Sequence, residues 1–156
     1  MKYRQLTKEQ LEALTDEFSI FLATQQIDRK EWLEINKSKP EIAQEELAIF
    51  SDLVWEDVLS KVGYIEHVSE KDINLFYGDI DEIKRIYVKC SNESFNLLNE
   101  NDFKWFLENP LDDSFLYYSA SKKYNGDRNL ELFKLIEMGG EITEGELFKE
   151  ISKLIP

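Results

Sequence analysis

The stretch that decides the fold is residues 40–90, where the spacing of the apolar residues changes. Residues 40–63 read PEIAQEELAIFSDLVWEDVLSKVG, with apolar side chains every three or four positions, as on one face of a helix. Residues 64–90 read YIEHVSEKDINLFYGDIDEIKRIYVKC, in which runs of β-branched and aromatic residues alternate with turn-like segments. A long helix that leads into an antiparallel meander predicts an α+β fold.

The predicted helix over 40–62 begins at Pro40, which suits a first helical turn, and ends at Gly63. It carries two neighbouring apolar stripes, and this width indicates a helix packed on two sides, which we expect to be the spine of the domain. One stripe consists of Ala43, Leu47, Phe50, Val54, Val58 and Val62, and the other of Ile42, Ile49, Leu53 and Leu59.

Two helices are predicted before this spine. The first covers 7–26, because Thr7 and Gln10 have the spacing of a capping box. The second begins after Asp28, a good N-cap residue, and continues to about Asn36. The N-terminal part is therefore predicted to be a three-helix segment packed on a small antiparallel sheet.

That sheet is predicted to be a three-stranded meander with a fourth strand further along the chain. In the third strand, alternation predicts that Ile86, Val88 and Cys90 lie on the buried face. The predicted strands cover residues 64–69, 73–78, 83–90 and 114–121.

The C-terminal part adds helical segments to the sheet. Residues 102–109 predict a short helix, and Asp127 is placed to cap a helix over 128–138. Thr143 and Glu146 have capping-box spacing for a last helix over 144–154. Two C-terminal helices thus complete one α+β domain that spans residues 1–156.

Composition and charge limit the classes of function. The chain has 156 residues, and 19 basic against 32 acidic side chains give a net charge of −13. This balance argues against a reader of duplex nucleic acid, which needs a basic face for phosphate contacts. The acids are spread evenly, which favours a role in solubility, and mimicry of DNA is the less favoured reading.

The sequence also predicts a cytoplasmic protein without a membrane partner. Residues 1–6 lack the apolar core of a secretion signal, and no run of 18 apolar residues occurs. Cys90 is the single cysteine, so no intrachain disulfide is expected. With His67 as the single histidine, the usual zinc and catalytic-triad sets are incomplete. We therefore predict no cofactor, no metal site and no catalytic residue.

One basic segment, residues 119–128, stands out in this acidic chain. It brings cations and hydroxyls to a predicted turn just before a helix N-terminus, where backbone N–H groups favour anions. The alternative is a solvated turn whose cations pair with nearby acids. The predicted anion-binding or partner-binding residues are Ser119, Lys122, Lys123, Tyr124 and Arg128.

Several short stretches resemble a family of short uncharacterised proteins from Bacteroidota-type bacteria. The resemblance runs over most of the chain, and it implies a conserved cytoplasmic domain without a known catalytic signature. The stretches that carry it are residues 1–7 (MKYRQLT), 21–24 (FLAT), Trp32, 50–56 (FSDLVWE), 118–120 (YSA) and 147–148 (LF).

Two main functions remain open on the sequence. The favoured one is a non-catalytic protein-interaction or regulatory domain, whose partner is another protein or a second copy of the chain. It rests on the missing catalytic sets and on a free edge strand that can pair with another chain. The alternative is a small hydrolase or nuclease that uses Mg²⁺ or Mn²⁺ on clustered carboxylates. An acidic DNA-mimic inhibitor is a weaker alternative.

Overall fold

Four helices form most of the first compact unit, Met1–Ser60, in the computed structural model, which describes residues 1–156. The predicted helix over 7–26 is two helices, because the chain leaves helical geometry at Leu14 (φ −109°, ψ 26°). The Thr15 hydroxyl donates to the Glu12 carbonyl at 2.7 Å, a local bond that competes with a continuous helix. The helices are α1 (Lys8–Ala13), α2 (Thr15–Thr24), α3 (Arg29–Ser38) and α4 (Pro40–Lys61).

The predicted helix starts are confirmed in this unit. Thr7 and Gln10 form a reciprocal capping box, in which each side chain accepts from the other residue's backbone N–H. The Asp28 carboxylate accepts from the backbone N–H of Glu31 at 2.8 Å. These short polar side chains satisfy N–H groups that the first turn of a helix leaves without partners.

The predicted helix over 40–62 is confirmed as α4, but three of the four residues of its predicted second stripe are exposed. Its buried positions include Ser51 and Trp55, which belong to neither predicted stripe, and Leu59, which is the one buried member of the second stripe. Ile49 and Leu53 of that stripe are 47% and 56% exposed. The unit is instead held by an aromatic cluster with ring centroids 5.0–6.0 Å apart, formed by Phe18, Phe21, Trp32 and Phe50.

The second compact unit, Lys61–Pro156, is built on an antiparallel sheet in the order β4-β3-β2-β1-β5. The predicted meander and the fourth strand are confirmed. The fifth strand was not predicted, because three residues are too few to show alternation. The strands are β1 (Tyr64–Val68), β2 (Asp72–Gly78), β3 (Glu82–Cys90), β4 (Phe115–Lys123) and β5 (Glu141–Thr143).

One face of this sheet, named here the core face, carries the hydrophobic core. Ile86, Val88 and Cys90 are buried on it, which confirms the face predicted for β3. The core face packs against loop and helix residues that lie outside the sheet. The buried members of the cluster are Ile73, Leu75, Ile86, Val88, Cys90, Leu97, Phe106, Phe115 and Ile151.

Three helices belong to the second unit: α5 (Glu100–Glu108), α6 (Arg128–Glu137) and α7 (Glu146–Ser152). Asp127 caps α6 as predicted, since its carboxylate accepts from Leu130 N–H at 3.1 Å.

The predicted capping box of the last helix is wrong. Thr143 belongs to β5, where it pairs with Tyr64, and the N-cap of α7 is Gly145 in the left-handed region (φ +82°). A Cβ added at Gly145 would lie 2.4 Å from the Tyr64 ring, so only glycine fits this turn.

The α+β class, with helices before and after the strands of an antiparallel sheet along the chain, is therefore confirmed. That residues 1–156 fold as a single domain stays a prediction. None of the seven helices combines the length and the apolar character needed to cross a membrane.

Candidate functional site

The face of the sheet opposite the core, named here the open face, is covered only in part by α6. Leu132 of α6 is fully buried there, and a Cβ added at Gly78 would lie 3.0 Å from its Cδ2 atom. Toward the β4 edge this cover ends, and Tyr118 is 54% exposed. Between α6 and strands β2–β4 lies a cavity of about 650 Å³, named here the basic groove.

The basic groove gathers positive charge in a chain with a net charge of −13. Arg85 of β3, Lys122 of β4 and Lys134 of α6 all line it, and Glu131 is its one acidic side chain. Its walls also include apolar side chains, among them Phe76 and Ile83 of the sheet and Leu135 and Met138 of α6. Cations beside apolar surface suit a ligand that carries both acidic and apolar groups.

Arg85 is held in place along the open face. Its Nε and Nη2 atoms both donate to the Asn74 side-chain oxygen, the first at 2.9 Å. Its guanidinium lies 5.2 Å from the ring centroid of Tyr87 and 5.9 Å from that of Phe76. A guanidinium has about five N–H donors, so most remain for a ligand, and their direction is fixed before any ligand binds.

Glu131 has one satisfied and one unsatisfied carboxylate oxygen. Its Oε1 atom accepts from the backbone N–H of Asn125 at 2.9 Å. Its Oε2 atom is buried and has no hydrogen-bond partner. A buried oxygen without a donor is unfavourable by about 1–3 kcal/mol.

His67 forms part of the groove wall on β1, where it pairs in register with Asn74 of β2. Its ring lies against Gly139, in the connection between α6 and β5. A Cβ at Gly139 would lie 3.0 Å from the His67 Nε2 atom, and this glycine has φ +106°. His67 is thus a packed wall residue of the open face.

The structure brings one of the five sequence-predicted binding residues into the basic groove. That residue is Lys122, and it lies in β4 rather than in a turn, because pairing with β3 continues to Glu82 and Lys123. Successive residues of a strand point to opposite faces. Ser119 and Lys123 therefore belong to the core-face side of β4.

Arg128 and Tyr124 donate to backbone carbonyls before β1 and at the end of β2. The Arg128 guanidinium donates to the carbonyls of Val62 (2.6 Å), Gly78 (3.0 Å) and Asp79 (3.2 Å). The Tyr124 hydroxyl donates to the same Asp79 carbonyl at 2.9 Å. Both side chains thus tie the start of α6 to the sheet. Anion or partner binding by the five residues stays a prediction.

Two further grooves flank the core face. One, of about 710 Å³, lies between β4 and α7 and includes Ser119 and Lys149. The other, also of about 710 Å³, is lined by four glutamates, Glu66, Glu144, Glu146 and Glu150. The structure contains no group of three His, Cys, Asp or Glu side chains placed to hold a metal ion.

One of these four glutamates, Glu66, has a perturbed pKa. Burial first, and then the neighbouring Glu141 carboxylate, raise the pKa of Glu66 above its ordinary value. Both causes disfavour the charged form of this carboxyl group. Glu66 is therefore a destabilising charge at neutral pH.

Sequence reasoning missed Arg85, Asn74 and Lys134 as members of a site. They lie on two strands and a helix, and only strand pairing and the placement of α6 bring them together. One signal was present in β3, where Arg85 and Tyr87 alternate with the buried Ile86. This alternation puts a cation and an aromatic ring on the face away from the core.

The comparisons with known proteins place the whole chain in one family and go no further. No curated protein and no solved structure matches it. The model of a family of unknown function, DUF6495, matches residues 1–156. The short stretches that suggested an uncharacterised family thus led to a correct inference, while an origin in Bacteroidota stays a prediction. This chain belongs to the family DUF6495.

Proposed function

We propose that this protein is a non-catalytic protein-interaction domain whose basic groove binds an acidic segment of a partner protein. The observation that carries the proposal is the charge of the groove. Arg85, Lys122 and Lys134 line one cavity together with a single acid, Glu131, although acids outnumber cations in the chain as a whole. The positive groove attracts an acidic partner, and the acidic remainder of the protein repels it.

The form of the groove favours an extended segment. It reaches Ala120 and Lys122 of β4, the strand at the edge of the sheet. Phe76 and Leu135 give it apolar walls for side chains between the acidic ones.

Pre-organisation supports binding rather than a passive surface role. Arg85 is fixed by two hydrogen bonds to Asn74 and by the aromatic rings beside it. Its side chain therefore loses little conformational freedom when a carboxylate binds, which lowers the entropic cost of binding. An arginine that makes bidentate contacts with a carboxylate also gives directional specificity that a mobile lysine lacks.

The test uses a fluorescein-labelled peptide of alternating glutamate and leucine, with a lysine and leucine peptide of the same length as the control ligand. Fluorescence anisotropy should show saturable binding of the acidic peptide alone, weakened by salt because the contacts are exposed. The double variant Arg85→Ala/Lys134→Ala should bind about 10- to 100-fold more weakly, as expected for the loss of two charged contacts.

The matched control is Lys37→Ala/Lys39→Ala, which removes two exposed cations at the end of α3. This variant should bind like the wild type. Equal affinity for the acidic and the basic peptide would refute the proposal, and so would unchanged binding by the Arg85/Lys134 variant. Competition by free pyrophosphate without any peptide selectivity would mean that the groove takes a small anion and no partner segment.

A further inference from the structure

The groove between β4 and α7, named here the serine–lysine groove, holds cations and hydroxyls and is lined by no Asp or Glu side chain. Lys84 of β3 and Lys149 of α7 both line it. Three hydroxyl groups lie with them, from Ser119 and Ser121 of β4 and from Ser152 of α7. In a chain with 32 acidic residues among 156, a cavity of about 710 Å³ without an acidic side chain is a local exception.

The strand register brings Lys84 beside the two serines of β4. Lys84 lies directly opposite Ser121 in the β3–β4 pairing, and Ile86 lies opposite Ser119. Because side chains two residues apart in a strand share a face, Lys84 projects from the same side of the sheet as the buried Ile86. Directly opposed side chains of an antiparallel pair have Cβ atoms about 4.5–5.5 Å apart. One small ligand can therefore contact the lysine and the serines together.

Helix α7 supplies the second cation and holds it in place. The Lys149 Nζ atom lies 5.1 Å from the ring centroid of Tyr64 and donates to the Glu144 carbonyl at 3.3 Å. An ammonium group has further N–H donors, which remain for a ligand. Neither lysine forms an ion pair within the chain, and the hydroxyls of Ser119 and Ser121 make no hydrogen bond there.

From these contacts we propose that the serine–lysine groove is a binding site for a small phosphate monoester. A phosphate group carries a charge of about −1.5 to −2 at pH 7 and has more acceptor oxygens than a carboxylate. Two ammonium groups and free hydroxyl donors match both its charge and its acceptors. The site lies on the core-face side of the sheet, opposite the basic groove, and does not depend on a partner segment bound there.

Half-buried rings beside the lysines suit the organic part of such a ligand. Tyr77 of β2 and Phe148 of α7 line the groove, with ring centroids 6.1 Å apart, and Ile155 lies at its end. An aromatic group next to the phosphate would cover apolar surface of these side chains. The volume of the groove is also in the range of small-molecule sites. The expected ligand is therefore a phosphate ester of an aromatic or other apolar group.

Phenyl phosphate is the probe for this site, because it joins a phosphate to one aromatic ring. NMR of the isotopically labelled full chain should show saturable shifts of backbone amides at Lys84, at 119–121 and at 149–152. The expected dissociation constant is roughly 0.1–1 mM, as for a ligand of this size. Phenol should give no saturable shifts, and benzoate should bind about tenfold more weakly. Equal binding of phenol or benzoate, or shifts confined to other residues, would overturn the proposal.

The variant Lys84→Gln/Lys149→Gln should weaken phenyl phosphate binding about tenfold or more, because both charged contacts are lost. The matched control Lys37→Gln/Lys39→Gln, at the end of α3, should bind like the wild type. The Lys84/Lys149 variant should still bind the acidic peptide of the basic groove, so that a failure of one proposal is distinguishable from a failure of the other.

A second variant keeps the proposal testable if the lysine variant folds poorly. Ser121 is exposed, and Ser121→Asp places a carboxylate directly opposite Lys84. This carboxylate pairs with the lysine and repels the phosphate, so phenyl phosphate should bind about tenfold or more weakly. The NMR spectrum of each variant shows whether it is folded. Unchanged affinity for phenyl phosphate in either folded variant would overturn the proposal.

Discussion

The substitution Arg128→Ala tests whether this side chain holds the fold of the second unit together. Its guanidinium donates to the carbonyls of Val62, Gly78 and Asp79 at 2.6–3.2 Å. Hydrogen bonds from a charged donor contribute about 1.5–3 kcal/mol each, and the lower end, reduced further, applies to a half-exposed side chain. Taking about 1 kcal/mol for each of the three bonds gives a loss of about 3 kcal/mol.

Urea unfolding followed by circular dichroism, together with thermal melting, measures this loss. For a chain of this length, about 3 kcal/mol corresponds to a fall in Tm of roughly 6–12 °C. Arg29→Ala, an exposed arginine at the start of α3, is the matched control and should change stability by less than about 0.5 kcal/mol. A loss below about 1 kcal/mol for Arg128→Ala would refute this structural role of Arg128. Arg128 would then be released for the anion-binding role predicted from the sequence.

Two further predictions concern a turn and a buried carboxyl group. Gly145→Ala should lower the free energy of unfolding by about 2–4 kcal/mol, because both the positive φ and the Tyr64 ring oppose a Cβ. Gly126→Ala meets no neighbour within 4 Å and should lower it by about 1 kcal/mol. Equal losses in urea titrations would show that the Tyr64 ring moves aside without cost. Glu66→Gln should raise Tm at pH 7, because burial and Glu141 raise the pKa of Glu66 and its ionised form opposes folding. The native state then binds this proton more tightly than the unfolded state, so stability rises as pH falls through the raised pKa, and the advantage of the glutamine should disappear below the ordinary carboxyl pKa. An advantage that persists at low pH would contradict this account.

Elements with long local patterns could be predicted from the sequence. Helix α4 and the strands β1–β3 have enough residues for their period to show, and their positions were predicted to within one or two residues. The break at Leu14 was not visible, because a periodic apolar pattern continues across it. The strand β5 was missed, since three residues carry no period and only pairing with β1 defines them.

The capping box at Thr143 failed for a related reason. The residue spacing was correct, but pairing with Tyr64 holds Thr143 in a strand, and tertiary contact overrides a local signal.

The basic groove could not be predicted from the sequence, because its charges come from separate elements. Lys122 was predicted as part of a basic segment, but Tyr124 and Arg128 of that segment donate to backbone carbonyls elsewhere in the fold. Arg85 and Lys134 are 49 residues apart and meet only after the sheet forms and α6 packs on it. A linear cluster of cations is therefore a poor guide to a site on a sheet face.

Neighbouring residues of β3 point alternately into the core and into the basic groove, so a change in the register of this strand alters both. Ile86 is buried in the core while its neighbour Arg85 lies in the groove, and the β2–β3 turn between Gly78 and Glu82 sets which side each takes. A deletion of one residue in that turn, followed by re-pairing, would bury the guanidinium and expose the isoleucine. Tolerance to insertions and deletions, rather than to substitutions, should therefore be lowest at this turn, even though it lies at the surface and Ile80 within it is exposed.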